Sequence, residues 1–454
     1  MSPTEEDSKT ETNIQHEPHP HTPDSSSSPA PQSEPLYAHG FFSKHGRAAR
    51  KALIPGLLFP LIYNAILLWA CCALVFGSLL KSNELGKIKV AAVDLDGGFV
   101  GAGVIDGIKR SLEGGGRGLR WSFVDGGGVG GEMGGGLVLG EKVWAVLEVS
   151  ANASSNLNAA LVNGDAAYDP LSAVSLYFTS ARNQVTTLAV AVPAIMGSVN
   201  PILGQIAVKN TATFLGANAN DTEALERGLK CPQCLASPFV VKSVDLIPFK
   251  PPAVFGILNT GLIFLLVFTF QIFTILRAGA ETFGHLFTLP TQLYIRTFSS
   301  LACYFFLSLM YTLVTLAFSI PLTGHYPTSS GSGFMTLWML NWCTMGACGL
   351  IMEAADTLIG MFWAPFFLNM WLIINASGAF ASFEVMPGFY QYGYAVPFYH
   401  TIQATRTIVL GTKSHLGLNF GVLIVWMVVG LGGVYLATAW RMRESLRTGV
   451  HRVL

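Results

Sequence analysis

Six apolar runs, each close to the roughly 20 residues a helix needs to cross a bilayer, constrain this chain more than any other feature. They are Leu53–Leu80, Val254–Leu276, Thr297–Ile320, Phe334–Met352, Thr357–Phe380 and Leu418–Trp440. Composition agrees. Only 12% of the 454 residues are charged, about half the ~25% usual in soluble domains, and mean hydropathy is +0.47. The 27 basic and 27 acidic residues cancel, so no cationic surface offers itself to nucleic acid.

Basic residues set the orientation. Lys44, Arg47, Arg50 and Lys51 precede the first run, and Arg277, Arg296, Arg441, Arg443, Arg447 and Arg452 fall in the other short segments that alternate counting assigns to the cytosol. The short segments on the opposite side hold only Arg406 and Lys413. By the positive-inside rule both termini are expected in the cytosol. The predicted fold is an α-helical polytopic membrane protein of six spans, one plus five, with an extracellular α/β domain inserted between spans 1 and 2.

The expected organisation follows the runs. Residues 1–52, rich in Ser, Pro and Glu, form a disordered cytosolic tail, since they cannot bury enough apolar area to offset their ordering entropy. Residues 53–80 are span 1, 81–253 the extracellular or lumenal domain, 254–440 the five-span block and 441–454 a basic cytosolic tail. Within the domain, Ile88–Val93, Trp144–Val149 and Val174–Phe178 read as strands. Phe99–Leu112 and Ser180–Val208 read as helices, and this alternation predicts an α/β layer structure. Gly114–Gly136 reads as a flexible glycine-rich insertion.

Cys71, Cys72, Cys303, Cys343 and Cys348 lie in apolar runs and act as small hydrophobes. Cys231 and Cys234 lie in the polar domain, where a disulfide is the expected state on the non-cytosolic side. Asn152 and Asn220 head candidate glycosylation sequons. Asn375 heads another at a span end, too close to the bilayer for use. Val93-Asp94-Leu95-Asp96-Gly97-Gly98 places an Asp-x-Asp-Gly turn after a buried strand, as phosphotransferases of the haloacid-dehalogenase type do. Gly98 stands where that family has Thr or Val, and the reading preferred here is a turn whose carboxylates cap the next helix. No enzyme activity, cofactor or metal is expected. Glu281, Glu353, Asp356 and Glu384 fall at span ends or in loops, which leaves no ionisable residue at depth for proton coupling. Tyr399–Leu410 reads as an amphipathic helix on the outer leaflet, with His400 and Arg406 interfacial. Gly417 and Gly421 would permit close helix packing, mostly within the chain.

The sequence resembles the fungal nitrosoguanidine-resistance membrane proteins over roughly residues 45–445. The motifs that carry the resemblance are Asp94-Leu95-Asp96-Gly97-Gly98, Ser175–Thr179, Val244–Pro248, Pro387 with Tyr392-Gly393-Tyr394 and Pro397-Phe398-Tyr399, and Leu416–Leu423 with Asn419 and Gly421. More distantly the chain is similar to phage-infection proteins and to permease subunits of type-2 ABC exporters. The resemblance implies a protein of the plasma membrane or endomembranes that exports, or helps the cell resist, toxic amphipathic compounds, with membrane lipids as neighbours. A chain with no nucleotide-binding motif would need an ATPase or other membrane partner, or act without direct ATP use, and a homo-oligomer is a further option. The alternative is a non-transporting scaffold that binds a partner.

Overall fold

The computed structural model describes residues 43–44, 47–79, 84–113, 118–125, 132–283, 287–377 and 381–448. Most of the tail expected at residues 1–52, and the chain beyond 448, lie outside these. Residues 1–63 form one unit and Asn64–Leu454 a second. Helix α1 (Arg47–Leu79) begins in the first unit and ends in the second. There follow β1 (Lys89–Asp94), α2 (Phe99–Glu113), β2 (Arg120–Asp125), α3 (Glu132–Leu139), β3 (Ala145–Val149), α4 (Ala153–Asn163) and β4 (Val174–Phe178). Next come α5 (Val192–Ala217), α6 (Thr222–Leu229), α7 (Pro232–Ala236) and β5 (Val241–Asp245). The remainder is helical: α8 (Gly261–Phe283), α9 (Leu289–Ala317), α10 (Ser330–Ile359), α11 (Ala364–Ala376), α12 (Pro397–Leu410) and α13 (Leu416–Thr448).

The strands form one mixed sheet in the order β2-β1-β3-β4-β5, parallel except for the β3–β4 pair. The inner strands β1 and β3 are buried on both faces, which explains why they read as unbroken apolar runs. Helices α2, α4 and α5 cover one face through Val104, Ile108, Leu157, Leu161, Ile195 and Val199. The glycine-rich stretch departs from expectation. It contains β2, which pairs with β1 over six residues, and it contributes the start of α3. Leu119 is buried at the entry to β2. Alternating aromatic and polar residues in Arg120–Asp125 suit a half-covered edge strand, and the surrounding glycines mask that signal.

Glu148 is the one acid on the buried β3, beside Val93 of β1 and Ser175 of β4. Burial pushes its carboxyl above the ordinary value of 4.5. The folded state therefore holds this proton more tightly than the unfolded chain does. Its contribution is fully present below the unfolded pKa and is lost as pH rises through the folded one. Glu148→Gln should raise the melting temperature at neutral pH and flatten its fall with rising pH. Thermal melts of both proteins across the acid-to-neutral range check this, and parallel profiles would refute it.

Among the described residues, six helices are long and apolar enough to cross a membrane: Leu58–Gly77, Val185–Ala217, Gly256–Gly279, Pro290–Ala317, Ser330–Ile359 and Leu416–Glu444. Five of them coincide with expected spans. The run Thr357–Phe380 does not form one helix. Helix α10 starts where Ser329 caps the Ser332 N–H (3.2 Å) and ends at Gly360, whose φ of 91° no side chain adopts comfortably. The chain restarts as α11, whose 13 residues rise about 20 Å and are too short to cross alone. The sixth helix, Val185–Ala217, belongs with the sheet, where Ile195, Val199, Ile202 and Leu203 are buried.

Helix α10 is the axis of the helical block and packs on α8, α9, α11, α12 and α13. Its closest neighbour is α13, because Gly430 lies directly on Leu350 and Gly433 on Ala354. Asn341 Nδ2 donates to Thr312 Oγ1 on α9 (3.0 Å), and Thr344 bonds Thr401 on α12 (2.7 Å). These polar groups join helices, as expected for amides and hydroxyls in an apolar block. Helix α12 departs from expectation. It is enclosed by α10 and α13, and His400 and Arg406 are both buried. Its polar face bonds within the protein and so does not require a solvated surface.

Candidate functional site

The site grows from segment 381–396, which leaves the helical block and enters the core of the α/β domain. Ala381, Phe383, Val385, Met386 and Tyr390 are buried in the same cluster as β3 and α5. Phe383 packs edge-on to Tyr394 (5.0 Å between centroids) and near Tyr399 (5.2 Å). Gly393 lies against the Phe383 ring, with no room for a side chain. Tyr390 Oη donates to the Leu74 carbonyl of α1 (2.8 Å), and the Ser382 N–H donates to Thr186 Oγ1 (2.8 Å).

Glu384 fixes the polar side of this joint. Its carboxylate accepts from Trp144 Nε1 (2.6 Å) and from Arg182 (3.2 Å). The Arg182 guanidinium lies over the Trp144 ring, 3.9 Å from its centroid, and donates to the Val143 carbonyl (3.1 Å). Salt bridge, cation–π contact and hydrogen bonds therefore converge on one arginine. From α12, Arg406 donates to the Arg182 carbonyl (2.9 Å), and beyond α12 Lys413 donates to the Gly140 carbonyl (3.2 Å). Burial lowers the Arg406 pKa to about 10, opposed by Tyr399 and Glu141. It remains a cation at neutral pH. The joint encloses a cavity of about 220 Å³ lined by Glu141, Trp144, Arg182, Glu384, Lys413 and Asn419, among others.

A second polar cluster lies at the other end of α10. Asp356 is ion-paired with Arg277 of α8, while Glu353 accepts from Arg296 Nε of α9 (2.9 Å). Arg296 also donates to Thr357 Oγ1 (3.0 Å). All four charged side chains are buried, and from α13 Arg441 donates to the Leu358 carbonyl (3.3 Å). The sequence reading put Glu353 and Asp356 between two spans. In the structure α10 runs through both, and they face inward. Thr344, which ties α10 to α12, and Asp356 are 12 residues apart on α10, or about 18 Å.

Residues 61–432 match the family described as Protein of unknown function (DUF3533). That match covers most of the chain. The chain belongs to this family. It is 24% identical over 302 residues to the uncharacterized endoplasmic reticulum membrane protein YJR015W of Saccharomyces cerevisiae, covering 63% of this chain. The aligned region spans 57% of that relative's length. No solved structure matches. With its span-length helices, this DUF3533 member is a multi-pass membrane protein.

The residues singled out from sequence are dispersed through this DUF3533 chain. At the end of β1, Asp94 Oδ1 accepts from the N–H groups of Asp96 (2.9 Å) and Gly97 (3.1 Å). Asp96 accepts from the Gly101 N–H in α2 (3.2 Å) and from both the N–H (2.9 Å) and hydroxyl (2.5 Å) of Ser154 in α4. One carboxylate thus serves two helix N-termini. Gly98 lies against Ser154 with no room for a Cβ, and Gly97 has a φ of 61°. Because both Asp96 oxygens accept, the amide of Asp96→Asn would turn one donor toward another. It should cost about 1–3 kcal/mol, readable as a lower melting temperature in detergent; an unchanged melt would refute the shared-cap geometry.

Cys231 and Cys234 are joined by a disulfide, and both are buried. Asn152 and Asn220 are exposed, whereas Asn375 is buried and bonded to the Trp371 carbonyl. Pro387 precedes the short helix at 388–395, and Pro397 opens α12. Of this set, the cavity gathers only Asn419. Gly421, like Gly417, faces open space. Trp144, Arg182 and Glu384 carried no motif; the nearest signal was a lone acid within an aromatic-rich loop.

Proposed function

We propose that this DUF3533 member is a permease-like protein that exports or redistributes toxic amphipathic compounds or lipids, as the resemblance to nitrosoguanidine-resistance proteins implies. One observation carries the reading. The Trp144–Arg182–Glu384 joint, held by Arg406, ties a polar cavity in the α/β domain to α12 and thus to the central α10. A ligand-dependent movement at either place is then transmitted to the other. We infer no enzymatic role, and the capping contacts of Asp94 and Asp96 support a structural one. An ATPase partner or a homo-oligomer would complete a transporter whose sequence has no nucleotide-binding motif.

We place both termini in the cytosol and the α/β domain outside it, on the ten-to-two bias of basic residues. The site of action is the plasma membrane or an endomembrane; the yeast relative's name points to the endoplasmic reticulum. A scaffold is the second reading, favoured by an apolar groove of about 680 Å³ between α5 and the Leu235–Val241 segment. The deciding experiment reconstitutes the protein in vesicles and follows a fluorescent amphipathic cation and a fluorescent lipid. Wild type should accelerate movement of at least one, and Arg182→Ala should slow it about tenfold at equal protein level, as expected for losing ~1.4 kcal/mol of coupling. Movement equal to empty vesicles for both probes would favour the scaffold.

A further inference from the structure

We infer that the cavity at the joint is a binding site for a zwitterionic phosphodiester headgroup, with the lipid's tails lying outside it along α13. The inference rests on the membrane reading above and names the chemistry that the cavity receives. Size comes first. Pockets for whole drug-sized molecules measure roughly 300–1,000 Å³, whereas this one measures about 220 Å³. It fits a polar headgroup and excludes the rest of an amphipathic molecule.

Charge gives the class. The lining carries two acids, Glu141 and Glu384, and two fixed cations, Arg182 and Lys413. Arg182 and Glu384 neutralise one another. The lining charges outside that pair are the Lys413 ammonium and the Glu141 carboxylate, the latter attracted also to the buried Arg406 behind the lining. Glu141 has no ion-pair partner among the described residues, and the Lys413 ammonium uses one of its three donors on the Gly140 carbonyl. That contact places the cation at the backbone just before Glu141. A ligand with a single charge would leave one of the two unanswered, whereas a phosphate and an ammonium within one headgroup answer both. Glu141 is held at a φ of 56°, a left-handed conformation that a non-glycine residue adopts at a cost.

Asn419 supplies the independent sign of a missing ligand. His400 Nε2 faces the Tyr394 carbonyl (2.8 Å), and its Nδ1 faces the Asn419 amide (3.0 Å). The amide spends one polar atom on the ring. Its other polar atom is buried without a protein partner, on a side chain that lines the cavity and is only 2% exposed. Leaving such an atom unmatched costs about 1–3 kcal/mol, which a polar ligand would recover. The rim gives the direction of the tails. Leu418 lines the cavity yet is 64% exposed, and the exposed Val425, Val428 and Val429 continue the apolar surface along α13.

The test uses full-length protein in a non-ionic maltoside detergent. Short-chain phosphatidylethanolamine is titrated calorimetrically below its micelle concentration, beside short-chain phosphatidylglycerol, short-chain diacylglycerol and free glycerophosphoethanolamine. The zwitterionic lipid should bind about tenfold or more tightly than each comparator, a difference of ~1.4 kcal/mol. Lys413→Ala and Glu141→Gln, both at the rim, should each weaken it about fivefold to tenfold, and the melting temperature of each unliganded variant separates lost binding from lost fold. Asn419→Leu should weaken it as well. Equal binding of diacylglycerol, or wild-type affinity in both rim variants, would overturn the headgroup site. Free glycerophosphoethanolamine binding as tightly as the lipid would overturn the placement of the tails. Headgroup binding without probe movement in vesicles would defeat the permease reading and leave this one standing.

Discussion

Asp356→Ala should destabilise the protein by about 3–5 kcal/mol, because it removes a buried counter-charge from the Arg277 guanidinium. Asp356 is 1% exposed, and its partner lies on a different helix 79 positions away. Desolvating two charges consumes most of what their attraction returns, so the intact pair adds little beyond an apolar replacement. Removing one member is another matter. The double variant Arg277→Met with Asp356→Leu should therefore recover most of the loss, and a double-mutant cycle of melting temperatures in detergent measures it. The exposed pair Arg227–Glu223 is the control. Glu223 is 86% exposed there, and Glu223→Ala should change stability within measurement error. If Asp356→Ala and Glu223→Ala behaved alike, the inner cluster would be solvated and the helical block loosely closed at that end.

The elements legible in the sequence are those whose own periodicity decides them. Helices α1, α8, α9, α10 and α13 announce themselves by apolar length, and β1, β3 and β4 by short apolar runs. Length and apolarity alone did not assign their partners, as Val185–Ala217 shows. It passes the same test as a span but spends its apolar face on the sheet. The break at Gly360 was hidden because α10 and α11 are both apolar, and a single glycine within an apolar run is no stop signal by itself. The joint was illegible for a different reason. Arg182 and Glu384 are 202 positions apart, and Trp144 and Glu384 are 240 apart. No local pattern connects them; only folding brings them together. Asn419 was noted as part of a motif, but its meaning depends on His400 and on a cavity that only the fold creates.

The edge strand gives the sharpest test of where local reading failed. If residues 114–136 were one flexible loop, their replacement by a linker would cost little, since closure entropy changes slowly with length. The structure requires the opposite result. Deleting residues 118–125 removes β2, leaves the β2-facing edge of β1 unpaired along its whole length, and takes Leu119 and Trp121 out of the domain core. The protein should then fail to accumulate. A pair of proline variants separates strand from loop without any deletion. The Arg120 N–H donates to the Ile88 carbonyl (2.9 Å) and so points toward β1. Directions alternate along a strand, so the Ser122 N–H also points toward β1 and the Phe123 N–H points outward from the edge. Ser122→Pro removes a ladder bond and should cost about 3 kcal/mol. Phe123→Pro loses only packing and its contact with Lys109, and should cost about 1 kcal/mol. Melting temperatures and protein abundance of the two variants provide the measurement. Equal tolerance of both prolines would return this stretch to a loop, whereas a cost concentrated at Ser122 fixes the register of β2 against β1.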